Sequence, residues 1–537
     1  MSLPARFLRR ALQLALSATV ALVVLAPLPT QAVPTDLRTH AQVLARTENG
    51  WVRGDATDEG RQFLGMAYAQ APSGDLRWKA PRPVKNWHGV KDATHYRNYC
   101  AQNAWYHPDY KEQHTTEDCL DVNVYTPSAA TNVTRLPVMV FIHGGANIGG
   151  AGRDIVPDTF ARRTNTVVVT LNYRLGALGF LTLPGTTGNF ALLDQQAALR
   201  WVGANIGHFG GDHTKVTIAG ESAGGGAVCA QLASPASHRL YRGAIIQSGA
   251  YFDCQGKTRE TAVIDGLAFA AKLGCTKPAT AADCLRAKPV KELLDAQSGG
   301  PETWNYTIGG RELPLQPADA FTTGRASRVP VINGANSNEG LVFAYDIFDR
   351  VGNPLTADAY PQALTSTFGE HTGTKALDHY ALSSYERPVY AYAAAFGDQL
   401  FACPALRSNP RLAKRGPVYT YEFADRTSPP PTGIPAGTDF DFGATHATEL
   451  AYLFKPFGHT PDFNAEQRTL AAQMTAYWGS FIHGSAPHAA GQQAMPEQGT
   501  RPGEVLQLRT ASAGGNTSTT TLREVHHCDL WDAATSS

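Results

Sequence analysis

Residues 215–232 read KVTIAGESAGGGAVCAQL. An apolar strand-like run, Lys215 to Ala219, enters a turn that sets Gly220, Gly224, Gly225 and Gly226 around Ser222, and Val228 to Leu232 leave it as a helix-like run. Glycine inside a helix costs roughly 0.5–1 kcal/mol relative to alanine, so four of them at one turn need a structural reason. The spacing Gly220-x-Ser222-x-Gly224 between a strand and a helix supplies it. A serine on a strained strand-to-helix turn lifts its hydroxyl above the sheet, and the residues two places to either side come too close for side chains. The N-terminus of the following helix aims backbone N–H groups and a partial positive charge at anything bound above Ser222.

Other β-branched runs surround this one. LPVMVFIH (136–143), TVVVTLNY (166–173), GAIIQSG (243–249), RVPVING (328–334) and PVYTYEF (417–423) read as buried strands, and NFALLDQQAALRWVGANI (189–206) has apolar residues at helical spacing. Strands alternating with helices predict a mainly parallel sheet covered on both faces, an α/β architecture. In such sheets ligands bind beyond the carboxyl ends of the strands.

Three more segments fall at predicted strand ends. FIHGGANIGG (141–150) follows the first strand with a glycine-marked loop whose backbone N–H groups can surround a developing oxyanion. Gly145 and Ala146 are the expected donors there, with Ala223 as a third. A serine hydroxyl is a poor nucleophile until a base takes its proton, and that base must be oriented by a carboxylate. Glu339 lies five residues beyond the run 328–334, and His446 lies beyond the run 417–423, so the order is serine, acid, histidine. Glu449, one helical turn beyond His446, is read as structural.

The chain has 537 residues, with 46 basic and 46 acidic side chains. That balance gives no electrostatic reason for nucleic acid or an anionic membrane as a partner. Arg6, Arg9 and Arg10, the apolar run 11–28 and the small residues Thr30 and Ala32 read as a signal peptide over 1–32, leaving no membrane anchor after its removal and one folded domain over 33–537. Export makes the eight cysteines disulfide candidates. The HHC run at 526–528 lacks the partner spacing of a zinc site, and no motif asks for a metal or other cofactor.

With EDCLDVNVYTP (117–127), LNYRLGALGFL (171–181), GESAGG and CDLWD (528–532), the chain resembles the type-B carboxylesterases, the family that includes the cholinesterases. The resemblance implies an α/β-hydrolase fold, a Ser222–Glu339–His446 triad and an oxyanion hole of Gly145, Ala146 and Ala223. It also implies the pairs Cys100–Cys119, Cys275–Cys284 and Cys403–Cys528, and leaves Cys229 and Cys254 either free or joined as an extra disulfide. Where the family usually has an aromatic residue this chain has Asn147, which is expected to give the substrate pocket a polar wall. Trp105, in the loop between Cys100 and Cys119, is expected at the pocket entrance. The implied activity is hydrolysis of a small-molecule carboxylic ester by a secreted enzyme. A lipase or polyester hydrolase, or a non-catalytic adhesion-type member of the family, are the alternatives; retention of Ser222, Glu339 and His446 argues for an enzyme.

Overall fold

The computed structural model describes residues 41–103, 115–297, 304–435 and 437–535; the expected signal peptide and Trp105 lie outside them. Seven strands form the parallel centre of a 13-stranded sheet: β1 (Leu136–Ile142), β2 (Val167–Leu171), β3 (Gly211–Glu221), β4 (Gly243–Gln247), β5 (Val331–Asn336), β6 (Val418–Phe423) and β7 (Val505–Leu508). Their order in space is β2-β1-β3-β4-β5-β6-β7, each pair parallel. Antiparallel strands extend the sheet beyond β2 and β7. This is the mainly parallel α/β sheet that the alternation of strands and helices predicts, and the α/β-hydrolase architecture that the resemblance implies.

The strands are apolar throughout because both faces are covered. Val138, Val140 and Ile142 of β1 belong to one core with helix α1 (Phe190–Asn205), whereas Met139 and Phe141 point into a second core on the opposite face. The helices that matter next are α2 (Ala223–Ala233), α3 (Pro388–Gly397), α4 (Cys403–Leu412), α5 (Ala465–Ile482) and α6 (Cys528–Thr535). Leu470, Met474 and Trp478 of α5 fill the second core. The start of α5 is set locally: Asn464 Oδ1 accepts from Gln467 N–H at 2.9 Å, and Gln467 Oε1 accepts from Asn464 N–H at 3.0 Å. No helix among the described residues is long and apolar enough to cross a membrane.

The strand order reverses at β1, which has β2 on one side and β3 on the other. A crevice opens beyond the carboxyl ends at such a switch point. The glycine loop after β1 and Ser222 after β3 both sit at that point.

Four disulfides join Cys100 to Cys119, Cys229 to Cys254, Cys275 to Cys284 and Cys403 to Cys528. The second ties α2 to the turn after β4, a pairing that neither spacing nor resemblance assigned.

Candidate active site

Ser222 sits between β3 and α2 at φ 55° and ψ −125°, a conformation open to few non-glycine residues. A Cβ on Gly220 would meet Gly224 O at 2.3 Å, and one on Gly224 would meet Ile142 O at 2.0 Å. The turn therefore closes only with glycine at those two positions. Ser222 N–H donates to Gln247 O at 2.9 Å, while its side chain makes no capping bond to α2. The hydroxyl is left to the cavity above, which Ser222 lines.

His446 and Glu339 meet there across 107 residues of sequence. His446 Nδ1 and Glu339 Oε2 are 2.6 Å apart. Glu339 is almost fully buried, and its other oxygen accepts from Ser248 Oγ at 2.5 Å and from Asn336 N–H at 2.8 Å. Those two donors fix the carboxylate plane. The remaining ring nitrogen, His446 Nε2, stands 3.2 Å from Glu221 Oε1, the residue just before the serine. Glu449 is buried behind the pair, where Gln247 Nε2 and Asn336 Nδ2 donate to its two oxygens at 3.0 and 2.7 Å. Two rings pack on the imidazole: Phe401 at 4.6 Å and Phe343 at 5.0 Å between centroids.

Burial pushes Glu221 up to about 8. Burial alone would lower the His446 imidazole, but Glu221 and Glu339 outweigh it and hold the ring up at about 9. Sequence reasoning singled out neither Glu221 nor the two phenylalanines. Glu221 was visible as a variable position of the glycine-flanked turn, but nothing in the sequence showed which way its carboxylate faces.

Gly145, at φ 101°, and Ala146, at φ 52°, line the same cavity as Ser222, and Ala223 opens α2 beside it. A Cβ on Gly145 would fall 2.2 Å from Gly149 O, so the loop turns too tightly there for any other residue. Asn147 departs from expectation. It does not line the cavity; its side chain is buried, with Nδ2 donating to Trp304 O at 2.9 Å. The backbone at Asn147 is left-handed, φ 62°, and its carbonyl accepts from Gly176 N–H, which holds the residue against the segment after β2. Asn147 therefore gives the described cavity no polar wall. The cavity, about 370 Å³, is walled mainly by apolar groups such as Ile155, Phe343, Pro430, Leu450 and Phe457.

Residues 41–531 match the carboxylesterase family model. A human cocaine esterase is 31% identical over 503 residues, covering 88% of this chain and 87% of that protein. A fumonisin B1 esterase of Sphingopyxis macrogoltabida is 33% identical over 497 residues, covering 88% and 86%. Among solved structures, a PNB esterase superposes with a TM-score of 0.75 at 30% identity, covering 91% of this chain and 99% of that one.

Proposed function

The chain belongs to the carboxylesterase family of serine hydrolases acting on carboxylic esters, and on that premise we propose that Ser222 is its nucleophile, His446 its general base and Glu339 the acid that orients the base. The reading rests on the 2.6 Å contact that fixes His446 Nδ1 on Glu339, in a cavity that His446 and Ser222 both line. Ser222 Oγ attacks the ester carbonyl as His446 Nε2 takes its proton. The backbone N–H groups of Gly145, Ala146 and Ala223 receive the negative charge that develops on the carbonyl oxygen, in a site that needs little reorganisation. His446 then gives the proton to the departing alcohol, and water repeats the sequence on the acyl-enzyme.

Glu221 tunes this base. Deprotonated imidazole is the active form, so the acid limb of kcat/KM against pH follows the His446 pKa. Removing a neighbouring negative charge destabilises the imidazolium and lowers that pKa. Glu221→Gln should therefore move the acid limb toward lower pH by about one unit. A limb that stays in place on the variant would dissociate Glu221 from the base.

The substrate reading is a small ester with an apolar acyl or alcohol group, because the wall is apolar and the volume suits a small molecule. Across p-nitrophenyl esters, an aliphatic acyl chain should exceed a chain-matched polar one by about tenfold in kcat/KM. Equal rates would reject the apolar reading. Asn147→Ala should leave that ratio unchanged while lowering stability by about 1–3 kcal/mol, since Trp304 O loses its donor. The ratio and a denaturation midpoint measured together test both halves; a changed ratio would return Asn147 to the pocket.

We also propose export with cleavage after Ala32. The basic, apolar and small-residue order of the first 32 residues supports it, as do the four disulfides.

A further inference from the structure

A second buried histidine lies outside the site. His526 is 4% exposed, and both ring nitrogens meet carboxylates: Nδ1 to Asp398 Oδ1 at 2.5 Å and Nε2 to Glu422 Oε1 at 2.6 Å. Each carboxylate has a further donor. Tyr380 Oη donates to Asp398 Oδ2 at 2.8 Å, and Trp531 Nε1 donates to Tyr380 Oη at 2.9 Å. Gln507 Nε2 donates to Glu422 Oε2 at 2.7 Å. With two acceptors at opposite edges, the ring is an imidazolium. Burial opposes that charge, but Asp398 and Glu422 hold the ring well above the ordinary imidazole range.

Buried ion clusters are costly to desolvate and are seldom the cheapest way to stabilise a fold. The Cys403–Cys528 disulfide already ties this end of the chain down. The cluster instead joins two particular elements. Glu422 belongs to β6, within the sheet, whereas Asp398 opens a single π-helical turn, Asp398–Ala402, between α3 and α4. Such turns are rare and frequent at functional sites.

Gly397, beside this turn, and Phe401, within it, touch the acid-bearing segment and His446. Gly397, just before Asp398, packs on the acid-bearing turn: a Cβ there would lie 2.7 Å from Gly340 N and 3.2 Å from Glu339 Cβ. Phe401, three residues after Asp398, carries the ring 4.6 Å from His446. It also stacks on Phe343 at 5.6 Å and 13°, so the two rings grip the imidazole together. The sheet thus locates Asp398 through His526, and the segment around Asp398 locates Phe401 and Gly397.

We infer that His526 is a positioning residue for ester hydrolysis, clamping Asp398 to Glu422 so that the π turn holds Phe401 against His446 and Gly397 against Glu339. This rests on the proposed roles of His446 and Glu339. It concerns geometry alone, and sub-ångström errors in the placing of a base cost rate rather than binding.

The test measures kcat per active site, titrated with a stoichiometric organophosphate, alongside KM and thermal midpoint. His526→Gln offers its donors from one atom instead of two opposite ring edges, so both carboxylates cannot be held as before. Its kcat should fall about tenfold with KM within about twofold. Phe401→Leu should fall similarly, and the double variant no further than either alone, because both act through one turn. Losses that multiply to about a hundredfold, or a lowered midpoint with kcat per site intact, overturn the role. Should His526→Gln not fold, Tyr380→Phe decides, since it removes one donor to Asp398 and leaves His526 in place. Its kcat should fall about threefold, and an unchanged kcat overturns the inference. Titration that labels a residue other than Ser222 would overturn the catalytic reading itself. Labelling of Ser222 with unaltered kcat in the variants overturns the positioning role alone.

Discussion

Ser222→Ala is expected to lower kcat by about 10⁵–10⁶-fold, with the thermal midpoint nearly unchanged. The two halves of that expectation have separate causes. Activity is lost because no other hydroxyl in the described site sits on the turn between β3 and α2, where the cavity, the α2 N-terminus and the glycine loop converge. Stability is kept because the Ser222 side chain caps nothing and the turn is closed by Gly220, Gly224 and the Ser222 N–H bond to Gln247. Circular dichroism and a melting curve on the variant, beside a burst experiment with a p-nitrophenyl ester, check both. A variant with near-normal turnover would remove the nucleophile assignment and every role built upon it.

Glu339→Gln should cost about 10⁴-fold in kcat, for a reason of tautomers rather than shape. Ser248 Oγ and Asn336 N–H both donate to Glu339 Oε1. A glutamine would keep its carbonyl oxygen there and turn its NH₂ toward His446. Nδ1 would then accept a hydrogen bond instead of donating one, which moves the imidazole proton to Nε2. A protonated Nε2 cannot take the proton from Ser222. The imidazolium formed during turnover would also lose the carboxylate that stabilises it. KM should change little, because Glu339 is buried and does not line the cavity. Glu339→Asp keeps the charge with a shorter reach, so recovery of part of the lost kcat would separate charge from position; a Glu339→Gln enzyme within tenfold of the parent would refute the orienting role.

Much of this site was legible before any fold was known, and the reason is local. A left-handed backbone, a close approach between chain segments and a strand ending in a turn all select residue types at fixed spacing, so Gly220, Ser222, Gly224 and Gly145 mark themselves. Glu339 and His446 were found because each follows a predicted strand, and the sheet collects strand ends along one edge. The six strand runs predicted from sequence supply six of the seven parallel strands, with boundaries differing by at most four residues, while β7 carried no such signal. Asn147 shows where such reading stops. Its position in the loop was correct, but whether a side chain enters a pocket or turns from it depends on φ at that residue and on a distant partner, Trp304, 157 residues away.

By itself the sequence determined the α/β class, the strand-turn-helix that carries Ser222 and the glycine loop beside it, because each rests on short-range sterics or periodicity. Tertiary structure alone decided the rest. It faces Glu221 toward His446, walls the cavity with apolar side chains, pairs Cys229 with Cys254, and sets His526 between carboxylates 128 and 104 residues away. Those features depend on which side chains are desolvated together, and desolvation is a property of the packed molecule, to which no stretch of the chain gives access on its own.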